Sequence, residues 1–275
     1  MNNRAVWAIA KKDLRAITAN MQVWLPMTIL PVVLGLVIPT LFVGLIAGLG
    51  VEGAGDMQEM IAMLDKVPFL ATLVAKYPTL DQQVAYLVAN YMLAPFFLLI
   101  PLMTSSVIAA DSFAGEKERG TLETLLFAPA DLLSLFVGKM LAAFIPAVGL
   151  SLVTFALSAI SVNMAGWSLF HSVFFPSLTW LPLMLLVIPM LSLLSILVNI
   201  FISARVATFQ AAYQMGGLLV LPVLAVLVSQ FTGALVLSGL ITTVIGVAMA
   251  ALNAVLLKLL VGKLDRTALF ESQVR

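Results

Sequence analysis

The chain has 275 residues, 62% of them hydrophobic and 10% charged, and a mean hydropathy of +1.13, more apolar surface than one water-soluble core would bury. Fourteen Lys and Arg against 13 Asp and Glu leave a formal charge of +1, too little bulk positive field to argue for a nucleic-acid partner. The lack of cysteine excludes disulfides, thiolate nucleophiles and iron–sulfur ligation, and a single histidine, His171, excludes the paired imidazoles of a zinc protease helix.

The first element is residues 4–18. Plotted at 100° per residue, Val6, Trp7, Ala10, Leu14 and Ile17 share one third of the wheel; Lys11, Lys12 and Arg15 occupy another sector, with Ile9 and Asp13 out of place. The pattern predicts an amphipathic helix within residues 1–20 that lies on the cytoplasmic leaflet. A bare basic anchor that sets topology is the plainer alternative.

Beyond it, four long intervals carry no Asp, Glu, Lys or Arg: 16–51, 82–110, 140–204 and 206–257. A hydrocarbon core of about 30 Å is crossed by roughly 20 apolar residues of helix, so the last two intervals each hold two spans. Six spans are predicted near 22–48, 84–110, 134–162, 178–203, 212–230 and 234–260, giving an all-α polytopic membrane protein with one transmembrane domain over 1–275. Of the 14 bases, 12 fall on the side of the termini and only Lys66 and Lys76 on the other, which places both termini in the cytoplasm. The one sizeable outer loop, 51–83, holds Glu52, Asp56, Glu59, Asp65 and Asp81. The first uncharged stretch, 36 residues, is too long for the apolar region of a cleaved signal and is expected to remain as an anchor.

No charge falls at mid-membrane; Asp111, Asp131, Lys139, Arg205 and Lys258 lie near span ends, where snorkelling or headgroup contact is the expected role. A proton relay and intramembrane proteolysis therefore lack their groups, and no phosphate-binding loop is present, so any uphill transport would draw its energy from another polypeptide. Nine prolines, from Pro26 to Pro222, mark kinks and candidate hinges in the spans. Asn90, Thr104, Ser105, Ser106, Asn199 and Ser203 either line a translocation path or hydrogen-bond between helices.

The stretch Asp111–Asp131, around a cytoplasmic loop at 111–130, carries seven of the chain's 27 charges. Gly120 permits a sharp turn, Thr121 is a good N-cap, Glu123 suits the positive end of a helix and Pro129 ends it, which together predict a short capped helix. Leu122, Leu125 and Leu126 share one face of it. That apolar face either folds back on the bundle or enters a groove of another protein.

The run Phe113-Ala-Gly-Glu-Lys-Glu-Arg-Gly-Thr-Leu-Glu-Thr-Leu-Leu-Phe-Ala-Pro129, followed by Gly138-Lys139, resembles the signature of type 2 ABC-exporter permeases. Length and topology agree over the whole chain. The resemblance implies a transmembrane permease subunit without a catalytic site or cofactor of its own. It would pair with a second permease copy or homologue and with cytoplasmic ABC ATPase subunits that bind ATP and Mg, and would move a substrate outward. Glu116, Arg119, Gly120, Thr121, Leu122, Glu123, Leu125, Leu126 and Pro129 would then form the coupling interface, and Trp7, Lys11, Lys12, Leu14 and Arg15 the interfacial helix against membrane lipids. Family members often carry short re-entrant helices between spans five and six, where the stretch Gln230–Gly239 has room for one, a point the sequence leaves open; the family's stand-alone format implies a prokaryotic plasma membrane. The outer region, 51–83, is too short to carry over the exterior domain that some members use on their substrate, so the cargo is not inherited. The alternatives are a non-transporting membrane scaffold that recruits a cytoplasmic partner and an ATP-independent facilitator.

Overall fold

Residues 2–53, 68–121 and 131–262 are described by a computed structural model, and every regular element among them is a helix. An N-terminal helix, Asn3–Ala19, precedes six helices long and apolar enough to cross a membrane: Met27–Val51, Leu80–Glu118, Leu132–Ala165, Trp180–Ser203, Phe209–Phe231 and Gly239–Gly262, here spans 1 to 6. Span 2 is the axis of the bundle. Its most apolar window is 89% buried, against 17% for spans 5 and 6, whose outward faces carry Leu221, Val228, Val244, Val247 and Val255. Such faces suit a hydrocarbon solvent.

Three spans contain a widened π turn, and the sequence explains each. The turns Val32–Val37, Val88–Met92 and Leu183–Val187 precede Pro39, Pro95 and Pro189 and include the residue four positions before each proline: Gly35, Tyr91 and Leu185. A proline ring collides with the carbonyl at i−4, and an extra residue in the turn moves that carbonyl aside. Span 5 supplies a partner for one of them: Gln230 Nε2 donates to the Tyr91 carbonyl at 2.8 Å. The fourth π turn, Asp111–Gly115, has no proline after it.

At the end of the bundle opposite the N-terminal helix, asparagines fasten the connection between spans 3 and 4. Ser177 N–H donates to Asn90 Oδ1 at 2.7 Å, and Asn90 Nδ2 donates to the Phe174 carbonyl at 3.2 Å. Asn163 accepts from the Phe174 and Phe175 amides and donates to the Phe175 carbonyl. The segment so held seats Phe175 and Trp180 in an aromatic cluster with Phe97 and Phe155.

One boundary differs from that read in the sequence, and one point the sequence leaves open is decided. Span 2 continues as helix through residues 111–118, the first part of the expected loop, because its charges find partners within the fold. Between spans 5 and 6, Thr232–Ser238 contains no helix, so a re-entrant helix is absent from that connection.

Candidate functional site

The most unusual group in the molecule is a lysine. Lys139, in the second turn of span 3, has a side chain only 1% exposed, and its ammonium is fully engaged. It donates to the Glu116 carboxylate, to the Ser112 carbonyl at 2.8 Å and to Asp13 Oδ2 at 3.5 Å, and it lies 5.6 Å from the centre of the Phe113 ring. Lys12 completes the cluster, at 3.1 Å from Glu116 and 3.2 Å from Asp13. Two carboxylates and two ammonium groups balance, as the low dielectric of a buried site demands. The snorkelling role expected for Lys139 is thus not what the fold uses; the side chain turns inward because two acids await it there.

The four members come from three elements, and each element is placed by its own sequence. Asp13 and Lys12 belong to the N-terminal helix, which Asn2 caps by accepting from Arg4 N–H at 3.1 Å. The buried residues of that helix, Val6, Ala10, Asp13 and Ile17, recur at i, i+4, i+7 and i+11, so Asp13 sits in its packed stripe. The helix crosses span 3 at Gly138, where a Cβ would stand 2.9 Å from Ile9 Cβ and 3.0 Å from the Val6 carbonyl oxygen. Only glycine permits that approach, which brings Lys139 within reach of Asp13. Span 3 itself starts at Asp131, whose Oδ2 accepts from Ser134 N–H at 3.3 Å. Hydrogen bonding with Ser134 holds the Asp131 carboxyl below the usual carboxylate range. For Lys12, partial burial works against the charged form, but the Asp13 and Glu116 carboxylates outweigh it and hold the ammonium pKa above the ordinary lysine value.

Glu116 opens a run of four charges, and each has a separate task. Lys117 Nζ donates to the Val206 carbonyl at 3.2 Å, in the connection between spans 4 and 5. Glu118 Oε2 accepts from the Phe209 amide at 2.8 Å, at the N-terminus of span 5, where Thr208 is the N-cap. Arg119 turns back on its own span, with Nη1 2.9 Å from Asp111 Oδ1, across the π turn that no proline explains. Gly120 then takes φ +67°, a conformation that favours glycine, and Thr121 Oγ1 donates to the Glu116 carbonyl at 3.2 Å. Four consecutive side chains therefore tie the end of span 2 to the N-terminal helix, span 3, span 5 and itself.

A family model described as ABC-2 type transporter matches residues 4–227 of the chain. The chain belongs to the ABC-2 type transporter family. It is a multi-pass membrane protein and a permease component of an ABC-type transporter, a membrane part that is not itself catalytic in this family. No match is found among curated proteins or solved structures. The ABC-2 match includes the N-terminal helix, the ion cluster and spans 1 to 4, and ends within span 5, so span 6 lies beyond it.

Within this ABC-2 permease the residues singled out in the sequence separate into four places. Glu116, Arg119, Gly120 and Thr121 gather at the charged end of span 2, Glu116 turned inward and the other three exposed; Leu122, Glu123, Leu125, Leu126 and Pro129 lie outside the described residues. On the N-terminal helix Trp7, Lys11, Lys12 and Arg15 are exposed and Leu14 is half-buried, so Trp7 is not part of the packed stripe. Thr104 and Ser105 of span 2 and Asn199 and Ser203 of span 4 are all buried, and Asn199 Nδ2 donates across to Ser106 Oγ at 2.8 Å; Asn90 is at the opposite end. Asp13 and Lys139 were not among the site residues expected from the sequence. The available signals were the acid that breaks the amphipathic pattern of the N-terminal helix and the Gly138-Lys139 pair that follows the loop run.

Proposed function

We propose that this permease component couples ATP hydrolysis in a separate cytoplasmic ABC ATPase subunit, which holds ATP and Mg, to outward movement of a substrate. The observation that carries this reading is the run Glu116–Arg119. It stands immediately before the segment 122–130 and connects directly to the N-terminal helix, span 3 and span 5. A displacement imposed on that segment by an ATPase would reach three elements through side chains one bond away, which is the requirement for switching a packed bundle between two discrete arrangements. Residues Leu122, Glu123, Leu125, Leu126 and Pro129 form the docking element in this reading. The charged end of the bundle faces the cytoplasm by its excess of bases, in the plasma membrane of a prokaryote, and a second permease copy or homologue completes the translocation unit.

The experiment is a pull-down of the tagged chain in detergent followed by ATPase assay of the recovered complex. Stoichiometric recovery of an ATPase that is lost in a Leu122→Glu/Leu125→Glu variant supports the reading. Recovery of the chain alone, inactive toward ATP while it conducts cargo in liposomes, overturns it.

A further inference from the structure

We infer that the paired rings of Tyr77 and Tyr86, at the end of the bundle opposite the N-terminal helix, are a binding site for a quaternary ammonium group, and that the Lys76 ammonium is a stand-in that such a group displaces. Lys76 lies in the connection between the helix Pro68–Val74 and span 2. Its Nζ stands over both rings, 4.9 Å from the centre of Tyr77 and 5.0 Å from that of Tyr86, and the two centres are 5.0 Å apart. A cation within about 6 Å of a ring centre is attracted by the negative face of the ring. The residue is exposed, so water is within its reach, yet its charge is seated on the rings. Among the described residues no carboxylate pairs with this ammonium and no oxygen accepts from it. Asp81, the acid that follows it in sequence, accepts from Val51 N–H at 2.8 Å instead. Lys139 is the contrast, a lysine held by carboxylates and a carbonyl.

The seat is built by contacts other than those of the lysine. Tyr77 N–H donates to the Val74 carbonyl at 2.8 Å, and the Tyr77 carbonyl accepts from Gln83 Nε2 at 2.9 Å. The Tyr77 ring meets Phe170 edge to face at 5.2 Å, and Phe170 is stacked on Phe174 at 3.9 Å. Tyr86 is buried within span 2, and its hydroxyl interacts with Ser177, whose amide is held by Asn90. Both rings therefore keep their places when the flexible lysine swings out. A primary ammonium on these faces leaves its N–H donors to water, whereas a quaternary ammonium carries methyl groups and no donors, so ring faces alone satisfy it. Hard cations such as Ca2+ and Mg2+ need several oxygen ligands, which the two ring faces do not supply.

The test is ligand-observed NMR of the purified full chain in a maltoside detergent, with choline as the probe and its uncharged tert-butyl isostere as the control, at high salt so that the loss of one exposed charge is screened. Lys76→Met clears the seat and is expected to bind choline about tenfold more tightly than the wild type does, and about tenfold more tightly than it binds the isostere. Lys76→Arg keeps a cation over the rings and is expected to stay at or below wild-type affinity. Lys76→Met/Tyr77→Phe keeps both rings and should match Lys76→Met, whereas Lys76→Met/Tyr77→Leu should lose about tenfold. Equal binding of choline and isostere by Lys76→Met overturns the inference, as does a Lys76→Met protein that binds choline no better than the wild type. So does undiminished binding by Lys76→Met/Tyr77→Leu; the first two outcomes involve only an exposed residue and decide the matter if that double variant fails to fold. Phosphatidylcholine added to the micelles displaces choline if a lipid headgroup is the occupant and leaves it bound if the occupant is a free solute, and either result keeps the inference. The titration contains no ATPase, so its outcome is independent of the coupling reading.

Discussion

Asp13 and Lys139 are separated by 126 residues of sequence and by 3.5 Å in the fold, with the Glu116 carboxylate on the same ammonium group. Removing one member of a buried ion group costs more than removing all of it, because the remaining charges keep their desolvation penalty and lose their compensation. Lys139→Met should therefore lower stability by about 3–5 kcal/mol. The neutral triple variant Asp13→Asn/Glu116→Gln/Lys139→Met should recover much of that loss. Thermal unfolding in detergent tests both; a neutral single variant would mean that the lysine is not paired in the protein.

Glu118 isolates one arm of the hub. Its carboxylate accepts from the Phe209 amide at the N-terminus of span 5, and because it is exposed, the bond and its favourable charge contribute about 0.3–1 kcal/mol. Glu118→Gln should thus leave unfolding nearly unchanged. In the coupling reading, transport-linked ATPase activity in the recovered complex should nonetheless fall severalfold. Activity at the wild-type level in a stable Glu118→Gln complex would show that span 5 is not driven through this contact.

Gly138 tests the crossing that creates the cluster. A Val side chain there would enter space held by Ile9 Cβ, 2.9 Å from the Cβ position, and by the Val6 carbonyl oxygen, which belongs to the backbone and cannot rotate away. Gly138→Val is expected to cost about 1–3 kcal/mol and to lift the N-terminal helix from span 3. Protease sensitivity at Lys11 and Arg15 should rise with it. A variant with wild-type cleavage would show that the crossing is looser than the structure has it.

The six spans were legible because hydrocarbon thickness and the cost of intramembrane charge act on composition alone, and the expected spans agree with the structure to within a few residues at most ends. The turn at Gly120 was equally legible, since a positive φ leaves its mark in residue type. The ion cluster was not. A helical wheel sorts Asp13 by polarity and finds it misplaced, whereas its position is set by a lysine on a distant span. Lys139 near a span end looks like a snorkelling side chain for the same reason. The extension of span 2 past Asp111 is not legible in composition, because charge reads as the end of a span, although Glu116, Lys117 and Glu118 have partners that let the helix continue.

Gln230 shows how a proline in one span becomes a constraint on another. Pro95 displaces the Tyr91 carbonyl, the π turn Val88–Met92 absorbs the extra residue, and Gln230 of span 5 donates to that oxygen at 2.8 Å. Gln230 is 1% exposed, so no water replaces it. Gln230→Leu should cost about 1–2 kcal/mol, near the upper end for an interhelical hydrogen bond in a membrane, because the bond is buried and its acceptor lies in the π turn before Pro95. Pro95→Ala restores an amide donor to span 2 and lets the Tyr91 carbonyl return to the helix ladder. The double variant Pro95→Ala/Gln230→Leu should then be less destabilised than the sum of its parts, read from thermal unfolding of all four proteins. Strict additivity would mean that the glutamine and the proline act independently, and that the π turn of span 2 does not depend on span 5.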